Sequence, residues 1–274
     1  MTQDSLRQLL DSTAAEYNTP GFADNDPVQF PRMFSDLRDI EIAAVVVSNI
    51  SWGKRPMILR NARRLLFDCM GGEPYRYVAE GAFEDNIDPD ANFHRTFFGR
   101  HLLYMLRGLR AVYADYGSIQ NFAAATGAAQ AEAPAWSVAE GLSRCLREAN
   151  RSCGRGVPEG PDRCFPSDMA KTALKRFNMA LRWLVRRDGI VDIGCWDVLK
   201  PSQLYIPLDV HVGNTSRSLG LLSRRQNDRR AVEELTARLK EFRPEDPTVY
   251  DFALFGLGVA GATLPSECDR PSGL

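Results

Sequence analysis

The sequence predicts an all-α fold, and three observations support that prediction. Apolar residues recur at helical spacing along most of the chain, beginning with Leu6, Leu9 and Leu10. Short segments rich in glycine, proline and other turn residues separate the periodic stretches. Neither a glycine-rich nucleotide-binding loop nor an internal repeat is present, so the sequence does not indicate a doubly wound α/β fold or a solenoid.

The apolar segment that follows Asp39 permits two interpretations. Its run of three valines, Val45 to Val47, is typical of a buried strand. Asp39 as an N-cap and Glu41 in the first turn favour a helix, because side-chain oxygens and negative charge stabilise the start of a helix. We therefore predict a helix here.

The other helices are predicted from periodic stretches bounded by proline, glycine or capping residues. Pro56 suits the first turn of a helix that Gly71 ends, and Gly117 closes a helix that starts at Phe98. Ser167 or Asp168 is the predicted cap of a long helix. Together the predicted helices span residues 4–17, 39–50, 56–70, 98–116, 167–188, 209–219, 228–242 and 247–259.

The chain is expected to form one all-α domain over residues 1–261, in which a cleft separates two helical lobes. Residues 150–166 carry three glycines and three prolines without periodicity and are predicted to be a loop. Residues 262–274 are predicted to be a flexible tail.

Charge is almost balanced, with 34 lysine and arginine residues against 35 acidic residues. Because backbone affinity comes from cations that meet phosphates, this balance excludes a protein that binds nucleic acid over its whole surface. Nucleic acid would have to bind to a local basic patch. The longest aliphatic run, from Ile42 to Val47, is far shorter than the ~18 residues of a membrane span. Since no signal peptide is apparent, a cytoplasmic protein without a membrane segment is expected.

The six cysteines are scattered and form no C-x-x-C pair. In a chain of this length without a signal peptide they are interpreted as free cytosolic thiols. A metal or iron–sulfur site at Cys145, Cys153 and Cys164 is the alternative, but such ligands usually cluster more tightly. We therefore predict neither a metal nor a cofactor.

One predicted helix carries a stripe of polar residues, mostly cations. At ~100° per residue its members fall within an arc of about 80°. The stripe consists of Lys171, Lys175, Asn178, Arg182 and Arg186. A solvated face of an amphipathic helix explains it. A functional face also explains it, because no carboxylate alternates with the cations and like charges repel unless an anion compensates them.

Asp209 follows Pro207 near a predicted helix start. It is interpreted either as an N-cap, worth about 0.5–2 kcal/mol, or as a carboxylate that faces a cavity. A Ser–His–Asp triad is not supported, because the chain has three histidines and no G-x-S-x-G motif.

Several segments together resemble an uncharacterised bacterial family of the helix-hairpin-helix DNA glycosylase superfamily. The resemblance runs from about residue 17 to 260. The matching segments are DIEIAAVVVSNISWGKR, NFHRTFFG, AKTALKRFNMALRWLVRRDGIVDIGCW, PSQLYIPLDVHVGNTSRSLGLL and DPTVYDFALFGLG.

The resemblance implies a catalytic pair. PLDVHV is similar to the V-D-T-H-[VI] motif of endonuclease III, whose essential carboxylate corresponds to Asp209. Archaeal 8-oxoguanine glycosylases carry their catalytic lysine about thirty residues earlier, and Lys175 precedes Asp209 by 34 residues. Lys175 is therefore the candidate nucleophile, and Lys171 is the competitor one turn earlier.

The sequence departs from the superfamily in three features. The hairpin L-P-G-[VI]-G-x-[KR]-T-A, whose glycines let backbone N–H groups approach a phosphate, is absent between Lys175 and Asp209. The four-cysteine iron–sulfur loop of endonuclease III is also absent. A pI of about 6.3 is lower than is typical of DNA repair enzymes.

Three hypotheses follow. The first is a base-excision glycosylase and abasic-site lyase that flips a damaged base, such as 8-oxoguanine, into a pocket where Trp52, Phe93, Trp183 or Trp196 stacks on it. The second is a protein that binds DNA, or RNA, and has lost the chemistry. The third is a metabolic or scaffold protein on the same fold.

The predicted substrate-binding residues surround the cleft. They are Trp52, Arg55, His94, Arg95, Lys171, Asn178, Arg182, Trp183, Arg186, Trp196 and His211. The cleft is expected to be locally positive because of Lys54, Arg55, Arg176, Arg182 and Arg186.

Overall fold

The predicted all-α class is confirmed by the computed structural model, which describes residues 2–152, 164–166 and 168–259. Thirteen α-helices occur in that part of the chain. In chain order they are α1 Gln3–Tyr17, α2 Pro20–Asp24, α3 Leu37–Ile50, α4 Arg55–Arg63, α5 Pro74–Glu80, α6 Phe83–Asn86, α7 Gly99–Tyr116, α8 Ile119–Ala125, α9 Pro134–Ser152, α10 Lys175–Val185, α11 Val210–Ser218, α12 Arg229–Lys240 and α13 Tyr250–Val259. The predicted tail, residues 262–274, lies outside the described residues.

The segment with the valine run forms a helix, as predicted, but it starts earlier. Asp36 is the N-cap of α3, because its Oδ1 accepts a hydrogen bond from the backbone N–H of Arg38. Asp39 lies in the first turn and accepts a hydrogen bond from the backbone N–H of Tyr75 at 2.7 Å. Every residue from Ile40 to Ile50 is buried. A helix that is buried on all sides needs no polar face, which explains why its composition resembles that of a strand.

The helix with the cationic stripe begins later than predicted. Leu174 adopts a left-handed conformation, with φ of 48°, and α10 starts at the next residue, Lys175. Upstream, the side chain of Asp168 accepts a hydrogen bond from the backbone N–H of Ala170 in a local turn. Lys171 therefore precedes the helix and does not share its face. The alternative cap, Ser167, lies outside the described residues.

A small antiparallel hairpin pairs β1, Asn92–His94, with β2, Phe97–Phe98. No strand is predicted here from the sequence, because strands this short leave no alternating pattern to detect. Arg95 lies in the turn with φ of 51°, and its backbone oxygen accepts a hydrogen bond from Asn92 Nδ2 at 2.6 Å.

A contiguous hydrophobic core joins residues from α1 to α13. Within it α10 packs against α3, while α1 and α11 both pack against α13. This arrangement places the first turns of α10, α11 and α13 around one cleft. Across the described residues, no helix combines the length and apolar character that a bilayer span requires.

Buried Glu41 fixes the long connection between α10 and α11 to the core. Its carboxylate accepts hydrogen bonds from the backbone N–H groups of Ile119 and Gln120 at the start of α8. It also accepts from the Tyr113 hydroxyl and from Trp196 Nε1. Burial raises the pKa of Glu41, and these four donors oppose that increase. Trp196 is thereby held in the interior.

Candidate functional site

A cleft with a volume of about 770 Å³ lies between α10, α11, α13 and the turn that joins α3 to α4. Lys175 and Asp209 both line it, which confirms the prediction that they share a cleft. Lys175 is the first residue of α10, and its side chain is 28% exposed. Its Nζ lies 3.9 Å from Oδ2 of Asp209. An amine and a carboxylate thus face each other where a ligand can reach both.

Asp209 combines the two roles that its sequence position permits. Its Oδ1 accepts a hydrogen bond from the backbone N–H of Val212 at 2.9 Å, so it caps α11. Its backbone oxygen accepts a hydrogen bond from Asn227 Nδ2 at 2.9 Å. The second carboxylate oxygen, Oδ2, is the atom nearest Lys175. The capping hydrogen bond therefore orients the carboxylate and leaves Oδ2, the oxygen that faces the amine, available.

Asp251, which the sequence analysis does not single out, is a third ionisable group in the cleft. It lies in the first turn of α13, its side chain is 14% exposed, and it pairs with Arg182. Burial raises the pKa of Asp251 to about 6, because the opposing fields of Arg182 and Lys175 do not offset desolvation and the nearby Asp209 adds to the increase. A carboxyl group that titrates near neutral pH can accept and return a proton.

Asp26 adds another acid to the cleft wall. Its Oδ1 accepts a hydrogen bond from the backbone N–H of Val28, and Oδ2 lies 4.0 Å from Arg55. Burial raises the pKa of Asp26 as well. The lining therefore contains three carboxylates, and of the five cations predicted to make it positive, Lys54 and Arg186 do not line it. Four cations, Arg55, Lys175, Arg176 and Arg182, line the cleft beside these carboxylates, so the charge of the lining is mixed and the locally positive cleft stays a prediction.

Acids that follow α10, together with acids far along the chain, compensate the two arginines of the stripe. Arg182 pairs with Asp192 and with Asp251, and both pairs are almost completely removed from water. Arg186 pairs with Asp192 and with two further acids, Asp188 and Asp246. Neither guanidinium is presented to solvent. Arg182 forms part of the cleft wall, and Arg186 does not, which corrects its prediction as a substrate-binding residue.

Two other members of the stripe lie away from the cleft. Lys171 is 85% exposed and its Nζ lies 3.1 Å from Asp168. Asn178 is buried, and its Nδ2 donates a hydrogen bond to the backbone oxygen of Ala173 at 3.1 Å. Lys175 is thus the lysine of the stripe that lines the cleft, and Lys171 does not line it.

Most of the aromatic residues predicted to line the cleft do not line it, and other aromatic residues do. Trp183 and Trp196 are completely buried in the core, so neither ring is open to a base. Trp52 does line the cleft. Phe22 and Phe255, whose rings meet edge to face at 5.5 Å, line it as well and are half-buried. Their sequence pattern does not differ from that of core residues, which is why sequence reasoning misses them.

The two predicted histidines have opposite environments. His94 is buried, with Nδ1 2.9 Å from Asn61 Nδ2 and Nε2 2.8 Å from the backbone oxygen of Trp52. Burial lowers the pKa of His94. It therefore supports the turn below Trp52 and does not contact a ligand in the cleft. His211 is exposed at the cleft. Arg95 lies outside the cleft lining, with its guanidinium 4.8 Å from the Trp52 ring centre.

Cysteine chemistry does not contribute a metal centre in the described part of the chain. No group of three or more histidine, cysteine, aspartate or glutamate residues there is arranged to hold a metal ion. Cys145 and Cys164 are free thiols. Cys153, the third member of the alternative metal site, lies outside the described residues.

Comparison with known protein families gives a match over residues 26–260, to the family described as "Protein of unknown function (DUF2400)". The matched region contains every cleft residue discussed here except Phe22. No curated protein and no solved structure matches the chain. Because the match spans most of its length, the chain belongs to the DUF2400 family.

Proposed function

We propose that this protein is a DNA base-excision glycosylase with abasic-site lyase activity. The observation that carries the proposal is the pair formed by Lys175 and Asp209, with 3.9 Å between Nζ and Oδ2, in a cleft of about 770 Å³. The cleft is large enough for a flipped nucleoside. The resemblance of PLDVHV and of the preceding lysine helix to helix-hairpin-helix glycosylases supports the same assignment.

The proposed reaction begins with proton transfer from the Lys175 ammonium to Asp251, so that Asp209 stays ionised. The free amine attacks C1′ of the flipped nucleotide, the bond from C1′ to the base breaks, and the base leaves with that electron pair. The bond from C1′ to O4′ then breaks as the remaining proton on Nζ passes to O4′, and the opened sugar is joined to Nζ as a Schiff base. Loss of a C2′ proton and of the 3′ phosphate completes strand cleavage.

The two carboxylates have different roles in this proposal. Asp209, which faces Nζ, stabilises the positive charge that develops at C1′. Asp251 has a pKa of about 6, so it is suited to donate a proton to the departing base and then to take up the proton that C2′ loses. Phe22, Trp52 and Phe255 offer ring surfaces for the extruded base.

Borohydride trapping tests the proposal. The protein is incubated with duplex DNA that contains an abasic site or 8-oxoguanine, and sodium borohydride reduces any Schiff base to a stable adduct. We expect an adduct with the native chain, none with Lys175→Ala and an undiminished adduct with Lys171→Ala, the matched control. Binding without an adduct would contradict the catalytic proposal and favour a nucleic-acid-binding protein that has lost the chemistry.

A further inference from the structure

A second groove, lined by arginines, lies next to the cleft. We infer that it binds consecutive phosphates of a nucleic-acid strand whose flipped nucleotide occupies the cleft, an inference that rests on the proposed function. The groove has a volume of about 590 Å³. Its charged lining residues are Arg60, Arg63, Arg64, Arg95 and Asp68, and we call this set the arginine groove.

The charge of the arginine groove is uncompensated. Four guanidinium groups line it against one carboxylate, and all four arginines are exposed. Among the described residues, none of the four has a carboxylate oxygen within 4.0 Å. Other exposed arginines, such as Arg76, do pair with neighbouring acids. Because like charges repel, four unpaired cations on one groove favour a polyanionic ligand.

The groove arginines of α4 share one side of the helix, and Arg64 is held in place by the neighbouring hairpin. Arg60, Arg63 and Arg64 are three and four residues apart, so they project from one side of α4 and the π-helical turn that follows. Arg64 Nη1 donates a hydrogen bond to the backbone oxygen of Asn92 at 3.1 Å, and its guanidinium lies 5.1 Å from the Phe93 ring centre. Immobilised guanidinium groups lose less entropy on binding than free ones.

Arg95 connects the arginine groove to the cleft. It occupies a left-handed conformation in the hairpin turn, and its guanidinium lies over Trp52, which lines the cleft. Gly53 makes this approach possible, because a Cβ atom there would come within 2.8 Å of Arg95 Nη1. His94 ties the hairpin to the same turn through the backbone oxygen of Trp52. A residue of the groove, Arg95, therefore contacts a residue of the cleft, Trp52, and one strand can pass from one to the other.

A nucleic-acid strand is the occupant that this geometry favours over an acidic protein segment. A guanidinium group matches the paired oxygens of a phosphate, and phosphates recur along a strand at regular spacing. The arginine groove also supplies a basic patch on a chain whose overall charge is −1. It offers an alternative to the hairpin that other members of the glycosylase superfamily use to hold a phosphate and that this sequence lacks.

The test measures the affinity of the full chain for duplex DNA that carries a single tetrahydrofuran abasic-site analogue, by fluorescence anisotropy across a salt series. The double variant Arg60→Gln/Arg63→Gln removes two groove charges that have no acidic partner. Its matched control is Arg110→Gln/Arg144→Gln, which removes two exposed arginines that line neither the cleft nor the arginine groove. Melting temperatures of both double variants should stay close to that of the native chain.

Loss of two phosphate contacts should raise Kd roughly tenfold to sixtyfold near 0.1 M salt and reduce the slope of log Kd against log salt by about two. The control should leave both quantities unchanged. Borohydride trapping with the native chain on duplex DNA that contains an abasic site reports the proposed chemistry separately from the affinity measurement. If the native chain yields no adduct but the groove variant still loses affinity, the phosphate site stands and the proposed chemistry fails.

Two results would overturn the inference. One is equal DNA affinity and salt slope for the groove variant and its control. The other is binding of poly-glutamate that the groove variant loses while its DNA affinity stays native, which would assign the arginine groove to an acidic protein partner.

Discussion

Asp209 divides its two carboxylate oxygens between α11 and Lys175. Oδ1 accepts the hydrogen bond that caps α11, and Oδ2 lies 3.9 Å from the Lys175 amine. A capping carboxylate is normally explained by helix stability alone. Here the same cap also fixes the direction of the Asp209 oxygen that points into the cleft. A substitution that keeps the cap therefore separates the structural role of Asp209 from its chemical role.

Asp209→Asn is that change, because asparagine caps a helix about as well as aspartate. We expect an unchanged melting temperature, DNA binding that is equal or tighter, and loss of abasic-site cleavage. Tighter binding follows from removal of a negative charge that faces phosphates. Unchanged cleavage at unchanged stability would remove Asp209 from the mechanism.

Asp251→Asn should alter the pH dependence of stability. The pKa of Asp251 is about 6 in the folded chain and ordinarily 3.8, so the folded state binds more protons than the unfolded state between these values. The contribution of this group to the free energy of unfolding therefore falls as pH rises from about 4 to 6. Above that range ionised Asp251 lowers the free energy of unfolding by an amount that approaches ~3 kcal/mol, since one pKa unit corresponds to 1.36 kcal/mol.

Urea unfolding of the native chain and of Asp251→Asn at pH 4 and pH 8 measures this effect. Between the two pH values, the difference in unfolding free energy should shift in favour of the variant by about 2–3 kcal/mol. Cleavage by the native chain should decline below about pH 6 as Asp251 becomes protonated. A difference that does not vary with pH would contradict the assigned pKa.

Asp192→Ala should be severely destabilising. Asp192 is completely buried and pairs with both Arg182 and Arg186, so its removal leaves two buried cations with fewer partners. We expect a loss of about 3–5 kcal/mol in urea unfolding. The control is Asp197→Ala, which removes the exposed partner of Arg187 and should cost less than about 1 kcal/mol. A similar loss of unfolding free energy in the two variants would show that the buried ion pairs stabilise the fold no more than an exposed pair does.

Trp196 and Trp52 should respond differently to substitution by phenylalanine. Trp196→Phe removes a hydrogen bond to buried Glu41 and should lower the melting temperature while leaving DNA affinity intact. Trp52→Phe keeps an aromatic ring in the cleft but reduces its area and its contact with Arg95, so affinity should fall more than stability. Loss of DNA affinity in Trp196→Phe without loss of stability would contradict the structural role.

Helical periodicity is a local feature and predicts the all-α class, whereas the pair Lys175 and Asp209 is implied by the resemblance to helix-hairpin-helix glycosylases. Neither source identifies the acids that neutralise the stripe. Asp251 is 69 residues from Arg182, and only the tertiary fold brings the two side chains together. Membership of the helix-hairpin-helix superfamily stays a prediction, whereas membership of an uncharacterised family is confirmed.

The exposure of tryptophan and histidine side chains is another property that local sequence does not determine. Trp52 lies in the cleft, whereas Trp183 on α10 is completely buried. His94 is enclosed by Asn61 and Trp52, and His211 is exposed. In each case burial depends on which distant element covers the residue. The arginine groove is missed for the same reason, because Arg95 joins α4 only through a hairpin that the sequence does not predict.

In the proposed reaction the Lys175 amine is the nucleophile. Peptide mapping of the borohydride-reduced complex between the native chain and abasic DNA tests this most directly, because mass spectrometry locates the sugar remnant on one lysine. We expect a single modified residue, Lys175, one residue before Arg176 and 34 residues before Asp209. A remnant on Lys171, on another lysine or on the N-terminal amine would contradict it.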